Sequence, residues 1–227
     1  MLTEEMREIL GESRDAGWVL EPKTKRLLAL AGLEVPRFSW AKTREEAVRS
    51  AREMGYPVVG KVVSPRVLHK SDRGGVMVGI DGDEEVAEVY DRFTRIEGFT
   101  GMLVEPMVPG VELIVGAKID YQFGPVILLG VGGTGVEIYQ DVALRMAPLT
   151  AKDVGSMVHG LKAHRILEGY RGADPVDVEK LAGLVVDFSG LVMDLQEIIE
   201  SIDLNPVMCS SAACVVADAR IILKKEG

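Results

Sequence analysis

"YPVVGKVVSPRVLHKSDRGGVMVGI", residues 56–80, is the stretch on which the fold of this chain turns. It opens with an apolar run of strand character, "YPVVGKVV" (56–63), interrupted by one lysine, Lys61. It closes with a second such run, "GGVMVGI" (74–80), entered through two glycines. Between them "SPRVLHKSD" (64–72) is polar, holds a proline and reads as a loop. The chain has three histidines, and His69 stands in that loop beside Lys70, Ser71 and Asp72. Imidazole is nucleophilic and basic at neutral pH. A loop histidine is more often a solvated surface residue, and this stretch alone leaves both readings open.

Lys61 poses a sharper question. An unpaired ammonium buried in an apolar strand costs several kcal/mol, so the side chain has to reach water or an anion. Either the strand is an edge from which the lysine snorkels out, or the ammonium meets a phosphate at the wall of a cleft.

Outward from this stretch, helices and strands mix without strict alternation. "EPKTKRLLALAG" (21–32) reads as a helix with Pro22 in its first turn and Gly32 closing it. "VPRFSW" (35–40) follows as a short strand. "TREEAVRSAREMG" (43–55) starts with Thr43 and Glu46 at capping-box spacing. "DEEVAEVYDRFTRIEG" (83–98) aligns Val86, Val89, Tyr90, Phe93 and Ile96 on one helical face. From about residue 101 to 147 the chain is nearly all strand, and helix resumes after Thr150. "DPVDVEKLAGLVVDFSGLVMDL" (174–195) is a long helix, with Asp174 expected at the N-cap and Pro175 at N1. "EIIESIDLNPVM" (197–208) and "ACVVADARIIL" (213–223) return to strand. The sum is an α+β chain in two lobes, residues 1–100 and 101–227.

Composition narrows the function classes. With 227 residues and 47% hydrophobic content the chain can build real cores. A net charge of −9 and a pI near 5.0 argue against a nucleic-acid surface, but not against a nucleotide held by one lysine and backbone N–H groups. No stretch has the length of a membrane span and "MLTEEMREIL" lacks the apolar core of a signal, so a cytoplasmic protein with no membrane or nucleic-acid partner is expected. Cys209 and Cys214, in "VMCSSAACVV", fit no zinc or redox motif and are expected to be buried, reduced thiols.

Three further constellations carry possible chemistry. "LGVGGTG" fits G-x-G-x-x-G at Gly130, Gly132 and Gly135, but strand character follows it where a dinucleotide fold needs a helix. A glycine turn between strands can still bring backbone N–H groups to a phosphate, or be a plain turn. "LVEPMVPGVELIVG" (103–116) reads as an extended hinge: backbone there can pair with an adenine edge, and Glu112 can accept from ribose hydroxyls. Asp203, Asn205 and Asp218, in "SIDLNPV" and "VVADARI", lie on two strands joined by a short turn and can converge at one end of a hairpin. Two or three oxygen ligands suit Mg²⁺ shared with nucleotide phosphates, although Asp and Asn-Pro also serve simply as turn residues.

A strand lysine, a glycine loop, a Glu-containing hinge, a following Glu and a late Asn/Asp pair, in this order, resemble the ATP-grasp pattern. More narrowly, "SP-x-x-LHKSD-x-GGV" (64–76) and "IDLNPV…VVADARI", with the segments 103–120 and 126–150, are similar to the β subunit of ADP-forming acyl-CoA synthetases, relatives of succinyl-CoA synthetase. The resemblance covers roughly residues 15–223. It implies an ATP-grasp fold with the nucleotide gripped between two lobes, and an acid–thiol ligase complete only with an α subunit that carries the CoA and acyl-phosphate machinery, as α2β2. It further implies that His69 takes a phosphoryl group from a histidine of the α subunit and passes it to ADP. Lys61, Arg73, Gly74, Glu105, Met107, Val108 and Glu112 are then expected at the nucleotide, Asn205 and Asp218 at Mg²⁺, and Arg145 at the transferring phosphoryl. Asp203 orients the imidazole or helps the metal. Two other readings compete: the ATP-grasp domain of a CoA ligase of succinyl-CoA synthetase type, and a nucleotide-binding regulatory module without catalysis. His159 and His164 match no such block and are expected at the surface.

Overall fold

The computed structural model describes residues 1–133, 141–169 and 174–225. The chain forms two compact units, Pro36–Val108 and, from both ends of the chain, Met1–Val35 with Pro109–Gly227.

The inserted unit is a four-stranded antiparallel sheet, β2 (Ser39–Ala41), β5 (Gly101–Pro106), β3 (Val58–Val63) and β4 (Val76–Ile80) in that spatial order, carrying two helices. Helix α3 (Arg44–Met54) starts where the sequence places its cap: Thr43 Oγ1 accepts from the Glu46 N–H at 3.1 Å, and Gly55 at φ +82° ends it. The Glu46 carboxylate reaches back one residue further than expected, to the Lys42 N–H at 2.7 Å. Helix α4 (Asp83–Phe93) turns Val86, Val89, Tyr90 and Phe93 onto Val58, Val62, Met102 and Val104. The strand expected over 35–40 pairs only at Ser39–Ala41, opposite Met102–Val104, since Pro36 has no N–H to offer a ladder.

The larger unit is built on a sheet with the spatial order β1 (Trp18–Val19), β11 (Ala219–Leu223), β9 (Ile199–Cys209), β6 (Val111–Asp120), β7 (Gly124–Val131) and β8 (Val142–Met146), with β10 (Cys214–Val216) paired to the end of β9. Among the described residues its helices are α1 (Glu4–Glu12), α2 (Glu21–Leu30), α5 (Ala151–Gly160) and α6 (Val178–Leu195). The division expected at residue 100 is corrected here. Trp18 and Val19 pair with Ile222 and Ile221, and Leu27 and Leu28 of α2 share one core with Val185 and Phe188 of α6. Residues 1–35 therefore belong with the carboxyl-terminal sheet.

Helix α6 also starts later than its proline suggested. Asp177, not Asp174, is the N-cap, its carboxylate accepting from the N–H groups of Glu179 and Lys180 at 3.0 Å each. Main-chain bonds fix the entry: Val176 N–H donates to Leu167 O at 2.8 Å and Asp177 N–H to Ser210 O at 3.0 Å. Val178, at the start of the helix, is half-buried, and Leu181, Val185, Phe188 and Val192, which follow at helical spacing, are fully buried. Each such side chain contributes about 1.5–3 kcal/mol of transfer free energy. "ACVVADARIIL" is not one strand but two, β10 and β11, interrupted at Ala217 and Asp218. Among the described residues no helix is long and apolar enough to cross a membrane.

Candidate functional site

In the inserted unit β3 lies between β5 and β4, so Lys61 has no edge from which to snorkel. It is 4% exposed, and its Nζ lies 2.6 Å from Oε1 of Glu105, itself 2% exposed. The register explains the meeting: Val59 faces Glu105 and Lys61 faces Leu103, which makes Lys61 and Glu105 diagonal neighbours on one sheet face. The helices take the other face, with Val58, Val62, Met102 and Val104. The two residues expected at the nucleotide are thus held by each other, the arrangement a buried ammonium requires.

The His69 loop leaves β3 and returns into β4, and both its ends are tied down. Ser64, 2% exposed, donates its hydroxyl to Glu97 O at 2.6 Å and accepts from the Arg66 N–H at 3.0 Å. At the return, Gly75 N–H donates to Lys70 O and Val62 N–H to Gly75 O, both at 2.8 Å. A Cβ at Gly75 would run into Val62 Cγ1 and lie 3.0 Å from Lys70 O, so the position admits no side chain without movement. Gly74, at φ +63°, closes the single 3-10 turn Ser71–Arg73. Between these anchors Leu68, His69, Ser71, Asp72 and Arg73 are exposed. Met107, 43% exposed, and half-buried Val108 follow β5.

In the larger unit strand alternation separates two faces. Leu113, Val115 and Ala117 of β6 and Ile202 and Leu204 of β9 go to the helix-covered core. Glu112 and Gly116, and Asp203 and Asn205, stand on the other face, with Gly116 opposite Asp203. Asn205 N–H donates to Asp218 O at 3.0 Å, which brings the Asn/Asp pair together where β10 gives way to β11. Two oxygen-bearing side chains are too few to enclose a metal, and among the described residues no group of three or more His, Cys, Asp or Glu is arranged to hold one. Two hard oxygen donors do fit a cation that keeps water and phosphate in its shell. Arg220, passed over in the sequence, sits opposite Asp203 and reaches its Oδ2 with Nη2 at 3.3 Å. The alternation of "ADARI" alone puts it on the same face as Asp203 once β11 pairs with β9.

Glu112 is also joined to the glycine turn. Its carbonyl accepts from the Gly132 N–H at 2.6 Å, and a Cβ on Gly132 would stand 2.9–3.0 Å from the Glu112 backbone and Cβ. Glycine at 132 is therefore a requirement of close approach, whatever else the turn does. Gly135 lies outside the described residues. Arg145 does not join this constellation: it faces the buried Ile127 across the β7–β8 ladder, and its guanidinium donates to Leu144 O at 2.8 Å and to Ser156 Oγ of α5 at 3.3 Å. A basic residue in an edge strand takes whichever face its register assigns, and here that is the helix side. His159 is exposed and His164 half-buried, each Nδ1 lying 2.8 Å from a carbonyl of its own segment, Gly155 O and Leu161 O.

A model of the ATP-grasp domain matches residues 11–223. The β subunit of the ADP-forming acetate–CoA ligase I of Pyrococcus furiosus is 42% identical over 226 residues, which span 96% of this chain and 97% of that one. The chain belongs to the ATP-grasp family, among the β subunits of ADP-forming acetate–CoA ligases. Solved structures of this family superpose along nearly their whole length. Acetyl-coenzyme A synthetase 1 of Ca. Korarchaeum cryptofilum, in complex with coenzyme A and Ca-AMPCP, matches with a TM-score of 0.89 and 39% identity over 96% of this chain and 99% of that one. The same enzyme with coenzyme A and Mg-AMPPCP, its phosphohistidine segment pointing towards the nucleotide-binding site, matches with a TM-score of 0.85 and 38% identity over 96% of this chain and all of that one, 100%. The ATP-grasp fold and the family read from residues 56–80 and their neighbours are both borne out.

Proposed function

We propose that this chain is the nucleotide-binding β subunit of an ADP-forming acyl-CoA synthetase, which converts acyl-CoA, ADP and phosphate to the free acid, CoA and ATP. The observation that carries this is the match to a β subunit over 97% of that subunit's length. The CoA and acyl-phosphate chemistry falls to a separate α subunit, in an α2β2 assembly. The surface around the His69 loop forms part of that interface, which buries on the order of 2,000 Å² or more.

His69 is the phosphoryl carrier. An imidazole nitrogen attacks the phosphorus of a phosphohistidine on the partner, and the P–N bond to that histidine breaks with its electron pair. A β-phosphate oxygen of ADP then attacks the same phosphorus and the His69 N–P bond breaks, giving ATP. An exposed loop anchored at Ser64 and Gly75 suits a carrier that moves while its base stays fixed. Lys61 supplies positive charge to the nucleotide phosphates, with Glu105 keeping its ammonium in place. The segment from Glu105 to Val108 contacts the adenine and Glu112 the ribose, and Arg73 and Gly74 border the phosphates. Asn205 and Asp218 give side-chain oxygens to a Mg²⁺ that, when bound, neutralises phosphate charge. Asp203, with Arg220 upon it, orients the groups around that pair.

The test uses the complete α–β complex with acyl-CoA and phosphate but no ADP. An acid-labile, base-stable phosphoryl group should appear on His69 and discharge to ATP when ADP and Mg²⁺ are added. His69→Ala should abolish turnover while nucleotide affinity stays within about tenfold, roughly 1.4 kcal/mol. A second reading is direct transfer from the partner's histidine to ADP; the Korarchaeum enzyme with Mg-AMPPCP has a phosphohistidine segment pointing towards its nucleotide-binding site. Near wild-type turnover by the His69→Ala complex would favour that route.

A further inference from the structure

Five positions apart in sequence, Cys209 and Cys214 form no recognisable motif; in the fold they are partners. Cys209 ends β9, Cys214 begins β10, and the two face each other across the antiparallel ladder. Inside them the turn is closed by Ser210 N–H donating to Ala213 O at 2.9 Å. Hydrogen-bonded and non-hydrogen-bonded pairs alternate along such a ladder, so Cys209 and Cys214 occupy a non-hydrogen-bonded pair, the kind with the closer side chains. Their Cα atoms are then about 4.5 Å apart, inside the range of roughly 4.4–6.8 Å that a disulfide spans, at its short edge. Both are buried, Cys209 at 0% and Cys214 at 4% exposure, and both thiols are free. A hydrogen bond from the Cys209 thiol to Cys214 pushes the Cys209 thiol up and holds the Cys214 thiol below its ordinary value; Lys180 also lowers Cys214, while burial, Asp177 and Glu34 oppose. Within the pair, one thiol is prepared as nucleophile and the other as its resolving partner.

We propose that Cys209 and Cys214 are a redox modification site that closes to a reversible intramolecular disulfide, with small-molecule disulfides as the oxidant. Cys214 thiolate attacks the small disulfide RSSR, forming a mixed disulfide and releasing one thiolate RS⁻. Cys209 gives its proton to that thiolate and attacks Cys214 Sγ, expelling the second thiolate, which takes the proton Cys214 had released. Two protein thiols and RSSR thus become one protein disulfide and two RSH. The exposed turn residues Ser211 and Ala212 give the reagent its way in when the tip opens. The bridge would also tighten the hairpin where Cys209 faces Val111 and where its backbone lies 2.6–3.0 Å from the position of a Cβ on Gly110.

The full-length protein is equilibrated in dithiothreitol buffers of graded reduced-to-oxidised ratio, quenched in acid, alkylated under denaturing conditions and weighed intact. A parallel series is refolded from urea in the same buffers, so that slow access to buried thiols cannot hide the equilibrium. Both series should pass at one common ratio from two alkylated thiols per chain to none, with the unalkylated chain lighter by two hydrogens, and return on adding reduced dithiothreitol. Cys209→Ser and Cys214→Ser should each keep one alkylatable thiol at every ratio. Two free thiols in the refolded protein at the most oxidising ratio overturn the proposal. A bridge between two chains overturns it too, as does a native series that never closes while the refolded one does.

Discussion

At the scale of single residues, Lys61 and Glu105 answer two demands at once. Each is almost fully buried and would be costly there alone; together, at 2.6 Å, they are tolerable, and a phosphate could still draw on the ammonium. Removing one partner of a buried pair costs about 3–5 kcal/mol, because the other charge stays uncompensated. Lys61→Met and Glu105→Leu should therefore each destabilise the chain by about that much in urea unfolding. The double variant should recover most of the loss, since apolar residues of similar volume often replace such a pair at little cost. Calorimetric nucleotide binding should stay lost in the double variant. A double variant as unstable as the singles would mean that the pair is not what each single substitution breaks.

At the scale of elements, two anchors can be tested separately from the chemistry. Helix α6 hangs on Asp177, whose carboxyl lies below its ordinary value of 3.8 because the Lys180 backbone N–H bonds its charged form. A depressed carboxylate stabilises the fold above the unfolded-state value and loses that contribution as pH falls through the folded-state value. Asp177→Asn keeps a capping oxygen without the titration. Its melting temperature should lie slightly below wild type at neutral pH, and the gap should close below about pH 3.8. Asp177→Ala removes the cap and should melt about 2–4 °C lower at neutral pH. A gap for Asp177→Asn that is constant from pH 7 to 3 would rule out the charged cap as its source. The second anchor is Gly75. Gly75→Ala pushes a methyl group into Val62 Cγ1 and towards Lys70 O, loosening the base of the His69 loop. Turnover of the α–β complex should fall at least tenfold while nucleotide affinity of the chain changes little. Equal losses of both would place the damage in the sheet rather than the loop.

At the scale of the whole molecule, the two ends of the chain belong to one unit, and residues 36–108 form the other. β1 covers the outer edge of β11, Leu223 N–H donates to Gly17 O at 2.9 Å, and Val216 N–H donates to Glu34 O at 2.8 Å. Met6, Ile9, Leu10, Leu27 and Leu28 are buried with the carboxyl-terminal sheet. Deleting residues 1–35 should consequently speed hydrogen exchange in β9 and β11, nearly two hundred positions away, and spare β3 and β5. Faster exchange in β3 and β5 instead would mean that the amino-terminal segment supports the inserted unit.

Much of this was legible in the residues themselves. Local rules need only neighbours: the Thr43 cap, the apolar face of α4, the two strands around the His69 loop and the glycines that close it are all set within a turn or a few positions of chain. The resemblance to the family was carried by the order of Lys61, the glycine loop, Glu105, Glu112, Asn205 and Asp218 and, more narrowly, by the SP-x-x-LHKSD-x-GGV block. What depends on register was not available, because strand pairing is decided by contacts far apart in the chain and a shift of one residue moves a side chain to the opposite face. Tertiary structure alone made Lys61 an interior residue paired with Glu105, sent Arg145 to the helix side, brought Arg220 to Asp203 and returned residues 1–35 to the far end of the chain. The same pairing turned Cys209 and Cys214, unremarkable at a spacing of five, into facing thiols, since a hairpin measures distance across the ladder and not along it.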